Sequence, residues 1–137
     1  MLPKYNSPLN YRNSMQTYFQ NTYAKYIIKD SILHITYKEG VFLDITAAKE
    51  IVKDRIVMQN GKALPVLCDT RLMKDSTKSA RDYLALEGST LVKAVAFVTE
   101  PSVSEFVIKI YIRTSNPPVK TEIFSQISDA KEYLLAF

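Results

Sequence analysis

The sequence predicts a single α/β domain built on a mixed, mostly parallel sheet. Three observations predict it. Two apolar runs, Leu64–Cys68 and Leu91–Val98, are short and nearly continuous, the pattern of buried strands with both faces covered. Segments with apolar residues at helical spacing lie between and after them, and strand–helix alternation implies parallel strands joined by crossovers. The chain has 137 residues, the ordinary size of one domain.

The elements follow in order. Residues 1–22 are rich in Asn, Gln, Ser and Tyr without a sustained period, and Pro3 and Pro8 interrupt any early helix. This stretch reads as an N-terminal arm, poorly ordered or loosely docked, ahead of a folded domain over 23–137. Tyr26-Ile27-Ile28 and the alternating run Ile32–Tyr37 form a hairpin around the tight turn Asp30-Ser31. Asp44 or Thr46 caps the first helix, which carries Ala48, Ile51, Val52 and Ile56 on one face and ends at Asn60-Gly61. The strand Leu64–Cys68 holds Pro65 near its start, where a missing N–H is tolerated.

Ser76–Glu87 is the second helix, with Ala80, Tyr83 and Leu84 inward and Gly88 as its stop. Leu91–Val98 is a central strand. The third helix opens on a capping box, Ser102 to Glu105. Its core stripe is Val103, Phe106, Val107 and Ile110, while Ile108 and Ile112 fall on another side. A helix apolar on more than one face meets a second layer or a second chain, so Ile108, Tyr111 and Ile112 are the expected homodimer contact, the alternative being cover by the N-terminal arm. Pro117-Pro118 separates it from a last strand, Val119–Phe124, and a last helix, Ser125–Phe137. The order is β-β-α-β-α-β-α-β-α.

The bulk numbers narrow the function. No apolar run approaches the roughly 18 residues that span a bilayer, and Met1–Gln20 has no secretory-signal pattern. The single cysteine, Cys68, cannot form an internal disulfide, which points to a reducing compartment and so to the cytoplasm. The net charge is +4, but residues 1–30 hold Lys4, Arg12, Lys25 and Lys29 against Asp30 alone. The remainder carries nearly equal numbers of both signs, interspersed, which argues against a nucleic-acid face.

The block Val66-Leu67-Cys68-Asp69-Thr70-Arg71, through Asp75-Ser76 to Arg81, resembles the strand–loop–helix centre of STAS domains, the group of the bacterial anti-anti-sigma factors of the SpoIIAA type. The span from about Tyr23 to Phe137 is also similar to an uncharacterised bacterial domain group with that SpoIIAA-like fold. In the signalling members an Asp-Ser pair opens the second helix and the serine is phosphorylated. The resemblance implies that role for Ser76, next to Asp75, although Lys78 stands in the region where the family places a glycine. The competing reading of Ser76 is a helix cap.

Asp69, Thr70 and Arg71 lie where a strand gives way to a loop, the place where open α/β sheets bind ligands. Asp69 can accept hydrogen bonds and Arg71 can pair with a carboxylate or phosphate. The alternative is that the two satisfy each other and the loop amides. His34, the only histidine, sits mid-strand with no partner for a metal or a triad. Cys68 reads as a buried small hydrophobe. Three glycines, Gly40, Gly61 and Gly88, make no phosphate cradle.

These observations predict a non-catalytic, protein-interaction or regulatory module without metal or cofactor, acting through the loop Asp69, Thr70, Arg71, Asp75 and Ser76. The alternative is an enzyme or small-ligand binder using Asp69, Arg71, His34 and Tyr83.

Overall fold

A computed structural model describes residues 17–101 and 103–137. Their elements, in chain order, are β1 (Tyr18–Gln20), β2 (Ala24–Lys29), β3 (Ile32–Tyr37), β4 (Phe42–Leu43), α1 (Ile45–Gln59), β5 (Leu64–Asp69), β6 (Asp75–Ser76), α2 (Lys78–Leu86), β7 (Val92–Val98), α3 (Val103–Ile110), β8 (Lys120–Phe124) and α4 (Ile127–Leu134). A 3-10 turn, Glu87–Ser89, follows α2, and a π-helical turn, Tyr111–Ser115, follows α3.

Six strands form one sheet in the order β1-β2-β3-β5-β7-β8. β2 runs antiparallel to both its neighbours, β1 and β3, and β3, β5, β7 and β8 run parallel. Leu64–Asp69 and Val92–Val98 therefore lie side by side and point the same way, with Leu67 opposite Ala96 and Asp69 opposite Val98. All six residues of β5 are buried, as a central strand with two covered faces requires. The register between β5 and β7 shifts between Leu64 and Val66, at Pro65, which has no N–H for the ladder.

Both faces are roofed. Leu33, Ile35, Val66, Cys68 and Phe97 pack with α1, α2 and α3 on one face. Ile32, Leu67, Ala96 and Val98 pack with Ala130 and Leu134 of α4 on the other. The alternation along β3 and β5 sends neighbouring residues to opposite layers.

The local signals act as their chemistry dictates. Asp30 and Ser31 both adopt positive φ, 55° and 62°, the geometry of a two-residue hairpin turn. Asp44 caps α1 by accepting from the Ala47 N–H at 2.8 Å. Asn60 ends it in the left-handed region at φ 51°, followed by Gly61 at φ 80°.

Three elements are additional to the expected order. Within the segment set aside as an arm, Tyr18–Gln20 is an edge strand on β2, held by burial of Phe19 against Tyr26, ring centroids 5.7 Å apart. Residues 1–16 lie outside the described residues. The two-residue strands β4 and β6 pair in parallel as a separate ribbon, Phe42 with Asp75 and Leu43 with Ser76. Ser102, the first member of the expected capping box, also lies outside the described residues. Ser104 contributes instead, its hydroxyl accepting from the Glu100 N–H at 2.9 Å.

The face that α3 turns outward differs from the one its apolar spacing predicts. Ile108 and Tyr111 are buried in the core and Ile112 packs partly against it. Val103 and Phe106, expected inward, are 51% and 66% exposed. The helix is turned so that Val107, Ile108 and Tyr111 meet the sheet, with Tyr111 edge-on to Phe97 at 5.7 Å between centroids. The homodimer contact expected at Ile108 and Tyr111 is therefore taken up by the chain's own core.

Candidate functional site

The ribbon β4–β6 carries Ser76 to the edge of the core, directly before α2. Thr77, not Ser76, is the helix cap: its hydroxyl accepts from the Ala80 N–H at 3.1 Å, and its own N–H donates to the Leu43 carbonyl at 2.9 Å. Ser76 is buried. Its N–H donates to the Asp75 carboxylate at 2.7 Å. The Nη1 of Arg81, one turn into α2, donates to the Ser76 hydroxyl at 3.0 Å and to its carbonyl at 2.8 Å. The expected phosphoacceptor is thus a strand residue whose hydroxyl is engaged by an arginine.

Arg81 is half-buried, and its Nε, fully covered, has no hydrogen-bond partner among the described residues. No carboxylate among them lies within ion-pair distance of it. Its neighbour Asp82 is engaged elsewhere, by Lys78 at 2.7 Å and by the Ser115 hydroxyl at 2.7 Å. A buried donor without an acceptor is expensive, and among the described residues only His34 Nε2 shares that state.

Ser76, Arg81 and Val107 line two spaces at once. On the outside is an open cleft between β6 and α3, flanked by Asp75, Val103, Phe106 and Ile110. On the inside is a cavity of about 80 Å³ between the sheet and helices α1–α3. Its walls are mostly apolar, among them Val66, Val95, Phe97 and Ile108. Among the described residues its polar groups are Tyr37, Cys68, Tyr111, Ser76, Arg55 and Arg81, with no carboxylate.

Burial decides the charge of that cavity. It lifts the Tyr37 phenol well above its usual range and pushes the Cys68 thiol up to about 12. Burial also raises the Tyr111 phenol. All three are neutral at pH 7. Burial lowers Arg55 to about 10, which leaves it protonated there. Arg55 is committed to its own chain: it donates to Gln59 Oε1, to the Thr90 carbonyl at 2.9 Å and to the Gly88 carbonyl at 3.1 Å. Among the described residues the net sign of the cavity wall is positive, and Arg81 is its cation with capacity left.

The loop expected to act from Asp69 to Ser76 is largely self-satisfied. Arg71 donates from Nε and Nη2 to the two carboxylate oxygens of Asp69, at 3.0 and 2.8 Å, and from its backbone N–H at 3.1 Å. Thr70 is fully buried, with both its N–H and its hydroxyl donating to the Val98 carbonyl at 2.9 Å. Asp75 remains exposed at the cleft rim. The groups weighed for an enzyme do not converge. His34 shares the sheet face of Ile32 and Leu67, under Lys131 of α4, whereas Tyr83 packs on the opposite face. The structure brings together Ser76, Arg81 and the walls of α3. Arg81 stood in the motif block, but nothing in the sequence marks one arginine of a helix as lacking a partner.

Residues 26–137 match the model of a family described as a domain of unknown function, DUF7793. No curated protein matches the sequence. Among solved structures, an uncharacterised protein of the DUF3478 family with a SpoIIAA-like fold, from Shewanella loihica PV-4, is similar to this chain. The two are 16% identical, with 84% of this chain and 97% of that chain covered and a TM-score of 0.62. At that identity the likeness shows the fold: the domain is SpoIIAA-like, with a mixed, mostly parallel sheet and four helices among the described residues. No helix of the described residues is long and apolar enough to cross a membrane.

Proposed function

We propose, for a chain that belongs to the DUF7793 family, a non-catalytic regulatory module that binds a small ligand in the cavity behind Ser76 and Arg81. The observation that carries this reading is Arg81, a half-buried guanidinium with an unpartnered Nε, set between an apolar cavity and an open cleft. Small-molecule sites are concave and mainly apolar with a few placed polar groups, and this place has both. The catalytic alternative lacks support in the geometry, since His34 and Tyr83 lie on opposite faces of the sheet and Asp69 is held by Arg71. Regulation rather than turnover also agrees with a buried, high-pKa thiol, inert in the reducing cytoplasm to which we assign the protein.

Titration with isobutanol, followed by methyl NMR, tests the reading. The methyl groups of Val66, Val95, Val107 and Ile108 should shift, while those of Leu67, Val98 and Leu134, on the other face, stay still. Equal response of both sets, or of neither, contradicts a ligand cavity.

A second reading is a protein partner, now carried by the exposed Val103 and Phe106 instead of Ile108 and Tyr111. The partner we assign is a second copy of the chain, as the apolar surface of α3 suggests. Sedimentation equilibrium of the wild type and Phe106→Glu tests it. A dimer that the substitution dissociates supports it, and a wild-type monomer at tens of micromolar removes it.

A further inference from the structure

We infer that the ligand is a short-chain carboxylate, its anionic head on the free edge of Arg81 and its branched apolar tail in the cavity. This deepens the reading above and rests on it.

The head is assigned from the guanidinium. Nη1 is used by Ser76, and the Nε–Nη2 edge makes no hydrogen bond among the described residues. The same chain shows what that edge binds: Arg71 grips the Asp69 carboxylate through Nε and Nη2. Arginine's planar fork matches a carboxylate in this bidentate way. Arg81 is held by one nitrogen only, so rotation about its terminal torsions turns the free edge toward an incoming anion. The charge is assigned from the wall, which among the described residues holds two guanidinium groups and no carboxylate. A phosphate or a second anionic group is disfavoured, because Arg55 is already spent on Gln59 and two carbonyls. Asp75, at the rim, gives one carboxylate oxygen to the Ser76 N–H and repels a ligand bearing charge at its outer end.

The tail is assigned from volume and lining. The cavity, about 80 Å³, is near half the ~150 Å³ that accommodates benzene in an engineered core. That admits a branched tail of roughly four carbons and excludes an aromatic ring unless the walls move. Val66, Val95, Phe97, Val107 and Ile108 supply an apolar surround for it.

The probes are isobutyrate and its uncharged analogue isobutanol, titrated by methyl NMR into the full chain, wild type and Arg81→Gln. In the wild type, isobutyrate should bind about tenfold or more tightly than isobutanol, the size of one charged hydrogen-bonded contact. Arg81→Gln should remove that advantage, so that isobutyrate binds the variant no more tightly than isobutanol binds the same variant. If Arg81→Gln does not fold, Arg81→Lys, with a charge but no fork, should reduce the preference without abolishing it. Equal binding of the two probes to the wild type, or full isobutyrate affinity in Arg81→Gln, overturns the carboxylate assignment and leaves the cavity reading standing. If neither probe moves the cavity methyl groups, both readings fall together.

Discussion

Arg55 on α1 donates from Nη2 to the carbonyl of Gly88, 3.1 Å away, in the 3-10 turn that follows α2. The same side chain reaches the Thr90 carbonyl and Gln59, so one buried guanidinium ties the first helix to the segment entering β7. Its removal leaves two main-chain carbonyls and an amide without their donor.

Arg55→Met should therefore destabilise the protein by about 2–4 kcal/mol, the range for breaking a buried hydrogen-bond network. Urea denaturation measures it. A loss under about 0.5 kcal/mol, the size of an ordinary surface change, would show that water replaces these bonds freely.

The rotation of α3 makes opposite forecasts for two apolar residues two positions apart. Ile108→Ala should cost about 2–4 kcal/mol, because it empties a core site. Phe106→Ser should change the stability of the monomer, measured at a concentration where no dimer forms, by no more than about 0.5 kcal/mol, since Phe106 is largely exposed. Thermal denaturation of both variants checks this, and the reverse order would restore the outward Ile108 that the helical pattern suggested.

Thr77 as the cap of α2 is equally direct. Thr77→Ala should lose about 1 kcal/mol and Thr77→Ser should retain most of it, as both hydroxyls can accept from the Ala80 N–H. Equal losses in the two variants, measured by urea denaturation, would show that the hydroxyl is not the stabilising group.

His34 gives a pH signature. Burial, and then Lys131 nearby, hold its imidazole below the ordinary 6.5, and its Nε2 is a buried atom with no partner among the described residues. Between the lowered native pKa and 6.5 the unfolded chain binds more protons than the native one. Stability then rises with pH through that window and falls as the medium is acidified below 6.5. His34→Gln should flatten the stability profile there. An unchanged slope in the variant would assign the dependence to other groups.

Much of the fold was legible because its signals are local. Near-continuous apolar character identified Leu64–Cys68 and Leu91–Val98 as covered parallel strands, each within one residue of the observed Leu64–Asp69 and Val92–Val98. Asp44 or Thr46 at one end and Asn60-Gly61 at the other marked α1, where Asp44 is the cap. Two-residue strands such as Phe42–Leu43 and Asp75–Ser76 have no periodicity to read, and they displaced Ser76 from the helix start. On α3 the apolar residues fill more than one face, so spacing alone allows two rotations. The long-range burial of Ile108 and Tyr111, beside a π-helical turn, chose between them. The candidate site was the least legible part. A missing partner for Arg81 is a property of everything packed around it, and so is the commitment of Arg71 to Asp69.

The central claim is that an open apolar space lies behind Ser76 and Arg81. Crystals of the protein pressurised with xenon test it most directly, since the gas enters apolar cavities without needing charge or hydrogen bonds. Xenon density bounded by Val66, Phe97, Val107 and Ile108 is the predicted result. Filled side-chain density there, with no xenon at that position, would contradict it.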